Sequence, residues 1–246
     1  MSAAASYLAG ARAALDKVES SLPAIRRGAA LLADAAATGR SIYSFGASHS
    51  FMMTEELVYR SGGLMLINPI APHGMHLQVR PMTLTSQLER LENLGRLLLE
   101  SSPAASGDVL ILTSTSGRNT VIVDMALAAR EKGLKVIGLT SGEYSSNVPS
   151  RHPSGKRLAD LCDVVLENGA PYGDAAGAVK DFPQKVGPVS TVGGCAALNA
   201  MVAECVELLV ARGVTPPVFM SANVPGGDEF NAKMLQENAG RIHYMN

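Results

Sequence analysis

Between residues 108 and 140 the chain changes period three times. Asp108-Val109-Leu110-Ile111-Leu112 is a short apolar run of buried-strand type. Ser114-Thr115-Ser116-Gly117-Arg118-Asn119-Thr120 is a hydroxyl-rich turn. Val121 to Arg130 carries apolar residues at helical spacing, and Lys135-Val136-Ile137-Gly138-Leu139-Thr140 is apolar again. Strand, turn, helix and strand in so short a span predict two parallel strands joined by a crossover helix. The turn between strand and helix is also a place to hold an anion. The first N–H groups of a helix lack internal partners, the helix dipole favours negative charge there, and short hydroxyls donate without crowding. No lysine stands in this turn. The segment therefore suits a phosphoryl group gripped by neutral donors, as on a small phosphorylated metabolite.

The same alternation extends along the chain. Residues 6–20 and 24–37 are Ala- and Leu-rich at helical spacing and predict a helix pair broken near Pro23. Ser41 to Phe45 predicts a strand, followed by the turn Gly46-Ala47-Ser48-His49-Ser50 and a helix over 50–61. Leu64-Met65-Leu66-Ile67 predicts a short strand. Asn68 to Met82 holds three prolines and no period, so it predicts a loop, and loops of that length in compact domains are usually functional. A helix is expected over Leu84–Glu100, a polar loop over 141–157, a fifth strand over Asp163–Leu166, an irregular Gly/Pro-rich stretch over 167–188, a long helix over Ser190–Ala211 and a last helix over 228–239. The expected architecture is a three-layer αβα domain on a five-stranded parallel sheet. One domain fills residues 1–246, with a helical pair over 1–38 and an αβα core with a C-terminal extension over 39–246.

Bulk properties exclude several function classes. Lys+Arg total 21 against Asp+Glu 22, a net charge of -1, so no clustered basic surface for nucleic acid or an acidic membrane is expected. Aromatics are 4% of the chain and Trp is absent, which disfavours stacking platforms. No apolar run approaches the roughly 20 residues of a membrane span, and the N-terminus lacks a basic, secretory start. Cys162, Cys195 and Cys205 lack CxxC spacing and read as free, mostly buried thiols of a reducing compartment. A cytoplasmic location is the expectation.

The two turns Gly46-Ala47-Ser48-His49-Ser50 and Ser114-Thr115-Ser116-Gly117-Arg118-Asn119 resemble the signature loops of the sugar isomerase (SIS) domain family. That family binds phosphosugars on a flavodoxin-like sheet. Within it the chain is similar to the phosphoheptose isomerase branch from about Ala24 to Thr140. The matching runs include Leu31-Leu32-Ala33-Asp34, Glu55-Glu56-Leu57 and Ala129-Arg130-Glu131-Lys132-Gly133-Leu134-Lys135-Val136-Ile137. The runs Pro149–Arg157 and Ser221–Asp228 resemble a little-characterised SIS subfamily. The resemblance implies phosphate donors at Ser50, Ser114, Ser116 and Asn119, with the N–H groups of Thr115 and Gly117 completing the cradle. It implies a sharp turn at Gly46 and a further donor at Ser190 or Thr191. Ser48 and His49 fall inside the first loop, and Lys185 precedes the late helix where it would reach a phosphate or sugar hydroxyl. Helix capping explains one such turn by itself; two turns in equivalent positions favour a ligand.

Aldose–ketose isomerisation needs a group that moves a proton between neighbouring carbons and a donor for the enediolate oxygen. The resemblance implies Glu56 as that base, with Glu55 about 100° away around the helix. His152 is the candidate acid. The heptose isomerase pattern places a histidine where this chain has Met52, and the helix over Ser190–Ala211 contains none. His73-x-x-His76 supplies only two ligands, so neither metal nor cofactor is expected. The reading is a phosphosugar isomerase working through an enediolate. A SIS lyase acting on an amino-sugar phosphate and a non-catalytic phosphosugar sensor are the alternatives. The resemblance also implies a homo-oligomer, dimer or tetramer, with sites shared between subunits.

Overall fold

A computed structural model describes residues 2–245 of the chain. Two helices open it, α1 (Ala3–Ser20) and α2 (Leu22–Ala37). Ser2 caps α1 by accepting from the Ala5 N–H, and Pro23 sits in the first turn of α2, where its missing N–H costs nothing. Then come β1 (Ile42–Gly46), α3 (Phe51–Leu57), β2 (Ile67–Pro69), α4 (Thr83–Leu88), α5 (Leu94–Glu100), β3 (Val109–Thr113) and α6 (Thr120–Glu131). The chain continues through β4 (Lys135–Thr140), α7 (Gly142–Ser146), β5 (Val164–Glu167), β6 (Ala175–Gly177) and β7 (Val186–Pro188) to α8 (Ser190–Ala211) and α9 (Gly227–Glu237).

Five strands form one parallel sheet in the order β2-β1-β3-β4-β5. The central strands are buried on both faces and alternate between two cores. Ile42, Val109, Ile111, Ile137 and Leu139 pack toward α2, α3 and α8. Tyr43, Phe45, Leu110, Leu112 and Val136 pack toward α5 and α6. That two-sided burial is why these strands read as continuous apolar runs. Two polar side chains within the core, Ser44 and Thr54, share a hydroxyl bond of 2.8 Å. The sheet order reverses between β1 and β3, and ligands of open α/β sheets bind outside the strand ends at such a reversal.

Helix α8 meets length and hydropathy criteria for a membrane span, which the sequence reading did not anticipate. Its Gly193, Ala197, Leu198, Met201, Val202, Cys205 and Leu209 are buried, and its main packing partners are α2, α1 and α3. The helix is the spine of one core layer.

Three elements differ from the sequence-based expectation for identifiable reasons. Helix α3 stops at Leu57, not near 61, because Val58 is extended and Tyr59 takes φ of 51°, turning its ring edge-on to Phe219 at 5.1 Å. The strand expected over 64–67 shifts to Ile67–Pro69, because Leu64 and Met65 pair with the 217–218 segment (Met65 N–H to Pro217 O, 2.8 Å). The single helix expected over Leu84–Glu100 is two helices, α4 and α5, separated at Asn93 with φ of 66°. At the start of α5, a Cβ on Gly95 would lie 2.0 Å from the Val121 carbonyl. The break lets α5 seat directly on α6. The stretch expected to be irregular over 167–188 contains the antiparallel pair β6–β7.

Candidate functional site

The loops after β1 and β3 face one another across the sheet reversal and enclose a cleft of about 260 Å³. From the β1 loop come Ala47, Ser48, His49 and Ser50, and from the β3 loop Ser114, Thr115, Ser116 and Asn119. Gly46 makes the first turn possible: a Cβ there would sit 2.3 Å from both the Ser50 carbonyl and Thr113 Oγ1. Thr113 Oγ1 donates to the Ser50 carbonyl at 2.8 Å and ties the first loop to the second strand. Ser48 adopts φ of 58°, and its N–H donates to the Met75 carbonyl at 2.7 Å, so the long Pro-rich loop braces the first turn from behind.

In the second loop Gly117 takes φ of 62° and its N–H donates to Ser114 Oγ at 3.1 Å, closing the turn on itself. Buried Asn168 donates to Thr115 Oγ1 at 3.2 Å, and the Thr115 carbonyl accepts from the Ser141 N–H and from Thr140 Oγ1. The loop is therefore held from below by β4 and β5. Among the described residues, the N–H groups of Thr115, Ser116, Asn119 and Thr120 have no protein acceptor. Asn119 and Thr120 stand at the N-terminus of α6, which carries positive dipole charge, and Thr115 and Ser116 lie in the loop leading to it. No lining side chain among the described residues is a lysine or arginine.

The late helix begins differently. Asp174, with φ of 68°, turns its carboxylate onto the start of α8. Its Oδ1 accepts from the Val189 and Ser190 N–H groups at 3.1 and 2.8 Å, and its Oδ2 accepts from Ser190 Oγ at 2.7 Å. Ser190 lines the cleft, as does Asp174, but its hydroxyl is already committed to that carboxylate. This corrects the expectation that Ser190 is a free phosphate donor.

Glu89, like Asp174, is a titratable lining residue that the sequence reading missed. It lies in the break between α4 and α5, where its carbonyl accepts from the Val121 N–H at 3.1 Å. Asn119 Nδ2 donates to Glu89 Oε2, and Asn119 Oδ1 accepts from Arg151 Nη1 at 2.8 Å. The Asn119 side chain is thus a strut between an arginine and a half-buried carboxyl, not a bare donor to the cleft. Burial pushes the Glu89 carboxyl above its usual range, opposed in part by the Asn119 bond and by Arg90, Arg151 and His49. The available signal was the lapse of apolar period across Glu89-Arg90-Leu91-Glu92-Asn93. Tyr144, Val121 and Ile122 complete the walls.

The remaining candidates lie outside the lining of this cleft. Glu55 is exposed on α3. Glu56 is on the α8 side of α3, where it pairs with Arg60 and accepts from Asn199 Nδ2 at 2.8 Å. His152 Nδ1 accepts from the Ser154 N–H at 3.0 Å, which assigns the ring proton to Nε2, 3.0 Å from the buried Asp124 Oδ1. Both nitrogens are engaged, so His152 pins the 150s loop to α6. Thr191 is half-buried one residue past the Asp174 cap, and Lys185 is exposed just before β7. No group of three or more metal-ligating side chains gathers among the described residues.

Comparison with known proteins agrees with this architecture. A SIS domain family model matches residues 6–141. A UPF0309 protein of Shouchella clausii is 48% identical over 219 residues, covering 89% of each chain, and one of Oceanobacillus iheyensis is 46% identical over 214 residues, covering 87% of each. Among solved structures, a phosphoheptose isomerase from Francisella tularensis superposes with a TM-score of 0.53 at 14% identity, over 81% of this chain and 94% of that one. Another, from Neisseria gonorrhoeae, superposes at 0.51 and 17% identity, over 85% and 97%. At such identities the likeness is one of fold. The chain belongs to the SIS domain family and, within it, to the UPF0309 proteins.

Proposed function

We propose that this protein binds a small phosphorylated sugar in the cleft between the β1 and β3 loops and interconverts its aldose and ketose forms through an enediolate. The observation that carries the reading is the open N-terminus of α6. Among the described residues, the N–H groups of three lining residues, Thr115, Ser116 and Asn119, have no protein acceptor, and Ser48, Ser50, Ser114 and Ser116 line the same cleft across the sheet reversal. A phosphoryl group satisfies such donors without a cation. The cleft is below the roughly 300–1,000 Å³ of drug-sized pockets, which fits a small metabolite. Membership of the SIS family supports the ligand class, and the name of the phosphoheptose isomerases that share the fold makes phosphorylated sugars the first compounds to test.

We read the protein as a homo-oligomer. Leu8 and Leu15 on α1 and Val192 and Val210 on α8 are exposed, apolar positions of the kind a second copy covers. Sedimentation of the purified chain tests this, with a monomer as the contrary result.

The functional test is incubation with four- to eight-carbon sugar phosphates in D₂O, followed by NMR, beside thermal denaturation in inorganic phosphate. Isomerisation predicts exchange of the proton next to the carbonyl together with the partner sugar. Exchange with loss of a substituent points to a lyase. Stabilisation by several sugar phosphates without exchange points to a sensor. Absence of stabilisation by any phosphate ends the reading.

A further inference from the structure

Isomerisation within this cleft requires one group that takes a proton from carbon and returns it to the next. We infer that Glu89 is that catalytic residue, an assignment that rests on the isomerase reading of the same site. The carboxylates near the cleft sort by what already occupies them. Asp174 has both oxygens committed to Val189 and Ser190. Glu56 is engaged by Arg60 and Asn199, and Glu55 points to solvent, both outside the cleft lining. The imidazole of His152 is closed by Ser154 and Asp124. Glu89 lines the cleft with one oxygen, Oε2, fixed by Asn119, and among the described residues Oε1 has no protein partner.

Its setting fits proton transfer in both directions. The backbone is clamped by the Val121 N–H, and Asn119 is itself held by Arg151, so the carboxyl is oriented before substrate arrives. Burial favours the neutral form, which brings the carboxyl toward the neutral pH at which a shuttle works in both directions. The same Asn119 opens α6, so the carboxyl and the proposed phosphate cradle share one strut.

The chemistry balances without a co-reactant. Glu89 Oε1 takes the proton from C2 of the open-chain aldose. The C–H electron pair becomes the C1=C2 bond, and the carbonyl pair moves to O1, which takes a proton from water. The protonated carboxyl then delivers its proton to C1 while O2 gives its hydroxyl proton back to water and becomes the ketone. Nothing is oxidised or reduced overall.

The test is Glu89→Gln, whose amide oxygen still accepts from Asn119. With a sugar phosphate that exchanges in the wild type, the variant should lose about a hundredfold or more in the deuterium exchange rate. Stabilisation by inorganic phosphate should stay within about twofold of wild type, which also reports that the fold is intact. Glu89→Asp should retain part of the rate, and the rising limb of its pH profile should move. Exchange within tenfold of wild type in Glu89→Gln overturns the assignment. So does a loss confined to Glu56→Gln, which returns the role to α3. A wild-type chain that binds phosphate but exchanges no sugar phosphate overturns the isomerase reading itself, and Glu89 with it, a result distinct from exchange that survives the substitution.

Discussion

Helices α6 and α8 both begin at the rim of the same cleft, and their first turns are solved in opposite ways. Helix α8 is closed by its own chain. Asp174, sixteen residues before Ser190, accepts from two N–H groups and one hydroxyl. At the start of α6 the N–H groups of Asn119 and Thr120, with those of Thr115 and Ser116 in the loop before it, have no protein acceptor among the described residues; Val121 N–H donates to the Glu89 carbonyl, and the Glu89 carboxyl meets the Asn119 side chain. A helix N-terminus filled by a carboxylate is a structural joint; one whose leading N–H groups lack an internal acceptor is suited to an anion. The serines of the two starts look equivalent in sequence, yet only those of the α6 loop remain available to a ligand.

The strongest way to break this contrast is to uncap α8. Asp174→Ala removes three hydrogen bonds to a charged acceptor and should cost about 3 kcal/mol. For a domain of this size that lowers the Tm by roughly 6–12 °C. Sulfate or phosphate should restore part of the loss by entering the vacated position, while anions leave a wild-type α8 untouched. A Tm unmoved by the substitution would mean that the cap contributes nothing. Next in size, Ser116→Ala should weaken inorganic phosphate binding about tenfold, the equivalent of about 1.4 kcal/mol, with little change in unliganded stability. Isothermal calorimetry measures the first and denaturation the second. Ser190→Ala should reverse that pattern, costing about 1 kcal/mol of stability while changing phosphate affinity less than about twofold. Equal effects of the two serine substitutions on phosphate would erase the contrast.

The smallest effect concerns pH. The Glu89 carboxyl lies above its ordinary 4.5 in the folded chain, so its contribution to stability is complete below that value and declines as pH rises through the folded pKa. Glutamine at 89 removes the decline. The variant should therefore gain stability on wild type as pH rises from the acid side toward neutrality. A difference that is flat with pH would show that the carboxyl is no more desolvated than in the unfolded chain.

Local patterns made much of the fold legible. The apolar runs at 108–112 and 135–140, separated by a helical period, announced parallel strands and a crossover, and β3, α6 and β4 lie there. The Gly- and Ser-containing turns after β1 and β3 were legible for the same reason, since turn chemistry is written in adjacent residues. Ser48, His49, Ser50, Ser114, Thr115, Ser116 and Asn119 all line one cleft. The helix expected over 84–100 concealed Glu89, because its break is imposed by contact with α6 and not by a proline or a glycine pair. Glu56 and His152 are the reverse case. Residue type and position in the chain suggested chemistry, but distant partners, Asn199 for one and Asp124 for the other, engage them outside the cleft.

The sequence by itself determined the layered parallel sheet, because two- and 3.6-residue periods are properties of neighbours along the chain and dictate which faces must be buried. It also determined that hydroxyl-rich turns would stand at the strand ends. Only the tertiary structure decided which helix start stays open and which carboxyl faces the cleft. Those choices depend on Asp174 meeting Ser190 and on Glu89 meeting Asn119, contacts 16 and 30 residues apart that packing creates and no local period encodes.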